Sequence, residues 1–154
     1  MRTASFLIVV LALGAICNTA QRAEAPSNIR AWSDTAGPDG KTWNLEMKRD
    51  GSATVLAFSG PGSKSAERRF KIPVEQYAAI LGVADEAGFF ALPPYLGPSA
   101  IPLHGPENVL RIAIAGKEHQ VALRDPLSAK GEEAARFQRV WRAVVAWSPV
   151  KPPL

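Results

Sequence analysis

Between Lys41 and Lys48 the chain alternates cleanly, with Trp43, Leu45 and Met47 to one side and Thr42, Asn44, Glu46 and Lys48 to the other. A period of two marks a strand with one buried face. Asp50-Gly51 follows as a tight hairpin signal. Ser52 to Phe58 (SATVLAF) is then β-prone and apolar on both faces, as expected of a more central strand. Upstream, Asn28 to Asp34 fits a short strand and Gly37-Pro38-Asp39-Gly40 a turn. Downstream, the loop SGPGSKSA (Ser59 to Ala66) leads to a fourth strand, where Arg68, Phe70 and Ile72 alternate with Arg69 and Lys71.

The period changes after Ile72. Val74, Tyr77, Leu81, Ala84 and Gly88 recur at helical spacing, and Ile80 and Ala87 widen the apolar stripe. Pro73 suits a first helical turn, where its missing N–H breaks no bond, and Gly88 supplies a stop that tolerates left-handed geometry. Phe89, Phe90 and Leu92 form an apolar plug past that end, and Pro93-Pro94 prevents continuation. From Leu92 to Pro106 five prolines recur (Pro93, Pro94, Pro98, Pro102 and Pro106), which excludes a helix or a central strand and predicts an irregular covering loop. A second hairpin follows. Leu110, Ile112 and Ile114 share one face, Gly116-Lys117 turns, and Val121 and Leu123 face inward on the return. Ala129 to Trp147 predicts a second helix through Ala134, Phe137, Trp141 and Val144, and the tail SPVKPPL cannot extend it.

These elements predict an α+β domain, an antiparallel sheet of about five to six strands with two helices packed on one face. It occupies residues 26–148, between an N-terminal segment, 1–25, and a proline-rich tail, 149–154. The N-terminal segment reads as a secretory signal: Arg2 gives a positive start, Phe6 to Ile16 is apolar but short for a membrane span, and small residues follow. Cleavage is expected after Ala20 or Ala23. Ala25 completes an A-x-A form, but Pro26 directly after it hinders a peptidase. The mature form then has no transmembrane span and an exported location, periplasmic or extracellular. Cys17 closes the apolar run and opens a second reading, a bacterial lipid anchor, although Ile16 stands where lipoprotein signals favour a small residue.

With 47% hydrophobic and 21% charged residues, the 154-residue chain has an ordinary globular composition. Losing Arg2, Arg22 and Glu24 with the signal takes the formal charge from +4 to +3, a mild bias toward anionic surfaces. Cys17 is the sole cysteine, so a mature domain has no disulfide and no thiol nucleophile.

The search for chemistry returns little. Gly60-Pro61-Gly62-Ser63-Lys64-Ser65 lacks the glycine before lysine and the glycine spacing of a phosphate loop. His119 shares a face with Val121 and Leu123 and reads as a core-edge histidine; with His104 and a carboxylate such as Glu107 or Glu118 it would make the least poor metal or hydrolytic set. Asp85-Glu86 and Glu132-Glu133 fit a polar helix face and a helix start. Arg136, Arg139 and Arg142 suit a solvated helical face, with Glu132 four before Arg136. The other basic cluster is Arg68, Arg69 and Lys71. Neither has the aromatic interleaving of nucleic-acid recognition, so no nucleic acid is expected, nor any cofactor. The proline segment offers the candidate interaction surface, Tyr95, Leu96, Ile101, Leu103 and His104, against its plainer reading as a lid that finishes the core.

The order of these elements resembles a family of uncharacterised bacterial exported domains. Asp50-Gly51, Pro73-Val74-Glu75-Gln76, Gly88-Phe89-Phe90-Ala91-Leu92-Pro93 and Gly116-Lys117 carry the resemblance, over Asn28 to Trp147. It implies the fold and brings no activity with it. The family's cysteine-containing turn and its aspartate before the second hairpin are replaced here by GPDGK and LHGPEN. The expected function is a non-enzymatic binding or accessory domain of the cell envelope with a protein or envelope component as partner. The alternatives are a hydrolytic or metal-dependent enzyme with dispersed residues, and a lipoprotein tethered through Cys17. Intact-mass analysis of the protein recovered from a bacterial envelope tests the export reading: a mature chain beginning after Ala20 or Ala23 is expected, and a diacylglyceryl adduct on Cys17 would replace it with the lipoprotein.

Overall fold

A computed structural model describes residues 27–35, 40–98 and 105–153; the N-terminal segment read as a signal lies outside them. Seven strands and two helices form the α+β domain in the order β1 (Asn28–Thr35), β2 (Lys41–Lys48), β3 (Ser52–Phe58), β4 (Ala66–Lys71), α1 (Val74–Glu86), β5 (Tyr95–Leu96), β6 (Glu107–Ile114), β7 (Lys117–Arg124) and α2 (Glu132–Val145), with a 3₁₀ turn at Phe89–Ala91 after α1. The sheet runs β4-β3-β2-β1-β6-β7-β5. Every pairing is antiparallel except that of two-residue β5 with β7. That short strand is what the proline segment contributes, and it sits at an edge, where missing N–H donors cost least.

β1 is the hinge of the topology. It pairs with β2 on one side and with β6, far along the chain, on the other. Register follows the hydrophobic alternation, because a slip of one residue would turn the whole apolar set to water. Ile29, Ala31, Leu45, Met47, Val55, Leu110, Ile112, Val121 and Leu123 share one face and join Tyr77, Ile80 and Ala84 of α1 and Phe137, Val140, Trp141 and Val144 of α2 in a single core. The other face is polar at its centre. Arg30 stands directly opposite Arg111, a like-charge pairing relieved because Arg30 reaches Glu46 at 2.8 Å and Arg111 reaches Glu118.

Two glycines set local geometry. The β2–β3 hairpin closes with the Gly51 N–H donating to the Lys48 carbonyl at 3.0 Å, Gly51 itself at φ +77°, a three-residue loop with a left-handed third position. Asp50 accepts from both the hydroxyl and the N–H of Ser52, which hold its carboxyl below the ordinary carboxylate range. A Cβ on Gly51 would meet the Ile72 carbonyl oxygen at 2.4 Å, so the hairpin also seats the β4–α1 junction. Gly88, at φ +61°, ends α1 as its spacing predicts. Arg136 of α2 lies against it, donating through Nε to the Ala87 carbonyl at 2.6 Å and through a terminal nitrogen to that of Gly88 at 2.9 Å. A cation over the open carbonyls of a helix end offsets the helix dipole. Arg139 and Arg142 are exposed as expected, Arg139 in an ion pair to Glu86 at 2.5 Å, and Arg136 alone departs from the solvated reading by turning in to cap α1.

Tyr77, 2% exposed, has a hydroxyl without a hydrogen-bond partner among the described residues. Burial pushes its phenol above the ordinary value near 10, against a smaller opposing pull from Arg49. The unfolded phenol therefore loses its proton first as pH rises past 10, and stability falls from there up to the folded value. Tyr77→Phe removes this loss along with an unpaired polar atom. Urea melts should find the variant at least as stable as the wild type at pH 7 and with a shallower decline above pH 10.

Candidate functional site

An apolar hollow lies where β1 ends and β6 begins, roofed by α2 and the C-terminal tail. Its volume is about 350 Å³, and Pro106, Pro126, Leu127, Trp141, Pro152 and Pro153 supply its apolar walls. Asp34, Asn108, Gln138 and Arg142 bring polar groups to it, with one carboxylate and one guanidinium. That size and mix suit a small molecule or the anchor side chain of a partner.

Each wall has a local cause. Trp141 lies on the apolar stripe of α2 and is 8% exposed; its ring stacks on Phe137 at 6.1 Å between centroids and meets Trp43 edge-on at 5.8 Å. After β7 the chain turns at Asp125, a non-glycine residue at φ +46°, a conformation aspartate tolerates better than most. Its N–H donates to the Pro106 carbonyl at 2.9 Å, its carbonyl accepts from Ser128 and Ala129, and its carboxylate accepts from the Ser128 hydroxyl. The Gln138 amide reaches the Pro126 carbonyl at 3.4 Å. A loop so pinned presents Leu127 outward, 80% exposed.

The tail makes the last wall. Lys151 donates to the carbonyls of Val145 and Ala146 at 2.9 and 3.2 Å, closing the end of α2. The Val150 carbonyl then accepts from the Ser148 hydroxyl at 2.5 Å and from the indole N–H of fully buried Trp43 at 2.7 Å. The helix is shorter than the expected Ala129 to Trp147, running from Glu132 to Val145 and stopping ahead of Pro149, and the residues after it return to the core.

The predicted interaction residues separate. Tyr95 is 63% exposed on the open face, with the Arg124 guanidinium 4.8 Å from its ring centroid. Leu96 is 5% exposed and belongs to the core, beside Leu123 in the β5–β7 pairing. Ile101, Leu103 and His104 lie outside the described residues. His119 is a core-edge histidine: its Nε2 lies 2.8 Å from the Leu92 carbonyl, which can only accept, so this nitrogen carries the hydrogen, and its ring packs edge-on against Phe89 at 5.7 Å. It fastens β7 to the turn after α1. Among the described residues no group of three His, Cys, Asp or Glu side chains is gathered to hold a metal, and no helix is long and apolar enough to cross a membrane.

Asp34, Leu127, Arg142 and the tail prolines carry no motif; in the sequence Arg142 reads as part of a solvated helical face and the prolines as a helix stop, not as a site. The only available signal was an aromatic α2 stripe flanked on both sides by proline-bearing segments. No family model matches the chain, and no curated protein matches it.

Deleting residues 149–154 removes both the tail wall and the partner of the Trp43 indole. The expected cost is about 1–3 kcal/mol in urea unfolding, that of an unpaired buried donor plus lost packing. The Trp43→Phe variant, which has no indole N–H to satisfy, should lose less than the wild type on the same deletion.

Proposed function

We propose that the protein is a non-enzymatic binding domain of the bacterial cell envelope, exported by its N-terminal segment. In this reading it holds a partner through the cleft between α2, the tail and the end of the sheet. The observation that carries the proposal is the hollow of about 350 Å³, walled by Trp141, Leu127 and prolines and bearing Asp34 and Arg142. Apolar walls supply affinity through desolvation, and the opposed charges orient what enters. Leu127, 80% exposed beside this hollow, is an apolar side chain that gains most from being covered. The resemblance to uncharacterised bacterial exported domains supports the location and adds no ligand.

Replacing Leu127 by a photo-crosslinking residue in the full chain, expressed in its bacterial host, tests the site. A discrete crosslinked envelope component is expected. Leu127→Glu should reduce its recovery at least about tenfold, as for an interface hot spot, with an unchanged melting temperature. A crosslink yield no higher at position 127 than at exposed Ala78 would return the cleft to a packing role.

A further inference from the structure

The strand at the far edge of the sheet, β4, uses only one of its two ladders. It pairs with β3 and with no other strand among the described residues. The Ile72 N–H donates to the Gly51 carbonyl at 2.9 Å, which sets the phase of the β3–β4 ladder. Bonded pairs alternate in an antiparallel ladder, so Phe70 and Arg68 bond inward to β3, and the N–H and C=O groups of Glu67, Arg69 and Lys71 point outward. Three evenly spaced outward residues form a template for another strand.

This edge is also strongly basic. From Lys64 to Lys71 the chain carries Lys64, Arg68, Arg69 and Lys71 against Glu67 alone, and Glu67 is already paired with Arg69 at 2.8 Å. Arg69 and Lys71 stand on the open face, with Lys48 beside them, around a hollow of about 640 Å³ that reaches across β3 and is also lined by Glu46, paired with Arg30, and Glu67. The helix face of the same edge sets exposed Arg68 beside half-buried Phe70, which borders the core, and Val74 at the start of α1, 54% exposed.

We propose that β4 is a docking edge for an extended segment of a partner protein that alternates acidic and apolar residues and joins the sheet as one more strand. Main-chain bonds to Glu67, Arg69 and Lys71 supply the backbone recognition, acidic side chains meet Arg69 and Lys71 on the open face, and apolar ones cover Phe70 on the other. A second copy of this chain fits less well, because each edge carries four basic residues against one carboxylate, so even the register that sets Glu67 opposite Lys71 leaves Arg69 facing Arg69 and the two edges both positive. The edge is therefore protected from self-pairing by the same charges that select an acidic partner. This surface lies on the opposite sheet edge from β5 and does not depend on the cleft.

The test uses the purified chain and a ten-residue peptide of alternating glutamate and valine, followed by amide exchange and by titration. Exchange at the Glu67, Arg69 and Lys71 amides should slow on binding, and N-methylation of alternate peptide bonds should weaken binding at least about tenfold. Glu67→Pro separates backbone recognition from charge, since it removes an outward donor and no bond to β3 while making the edge more basic. The proposal expects this variant to bind the peptide at least about tenfold more weakly with an unchanged fold by circular dichroism. Equal binding of the N-methylated peptide, or its displacement by a single-stranded oligonucleotide at matched charge, would reduce the edge to a non-specific anion patch and overturn the proposal.

Discussion

The indole of Trp43 ties the molecule together. It is wholly enclosed, so its N–H must find an acceptor inside the protein, and the acceptor is a main-chain carbonyl 107 residues further along the chain. The same ring lies edge-on to Trp141. One side chain in the middle of the sheet thereby fixes the depth of α2 and the path of the tail. Both are walls of the cleft. Pocket shape is thus a by-product of satisfying a donor in the core.

The two helices are locked to one another by a second economy of means. α1 ends at a left-handed glycine whose missing Cβ leaves room for a guanidinium, and Arg136 fills it. Any side chain at Gly88 would meet that guanidinium at 2.3 Å. Glycine is required there twice, once for backbone handedness and once for the arginine. The Arg139 to Glu86 pair is exposed on both sides and adds little by comparison.

Local periodicity made much of the fold legible. The alternation of Lys41 to Lys48, the Asp50-Gly51 turn, the α1 stripe ending at Gly88 and the second hairpin reappear in their predicted places, except that Val74, the first residue of the stripe, is 54% exposed. Such signals are written within a few residues of one another. What stayed hidden is non-local: the position of β1 between β2 and β6, the parallel pairing of β5, the return of the tail, and the capping role of Arg136. Periodicity says which way a side chain faces and nothing about which strand lies beside it. Tyr95 and Leu96 illustrate the limit. Adjacent in sequence, both fit the expected interaction surface, yet a strand turns neighbours to opposite faces, sending one to solvent and the other to the core. The cleft was unreadable for a related reason, since its walls come from five separate segments with no shared motif.

The central place of β1 bears on how the chain is made. A ribosome delivers β1 first among the strands, yet one of its two neighbours, β6, emerges some eighty residues after it. In the finished sheet β1 is flanked on one side by its near neighbour β2 and on the other by the distant β6, and Trp43 finds its acceptor only at Val150. Closing such distant contacts is slow. A chain of this topology cannot finish its core until residues more than a hundred positions past Trp43 are in place.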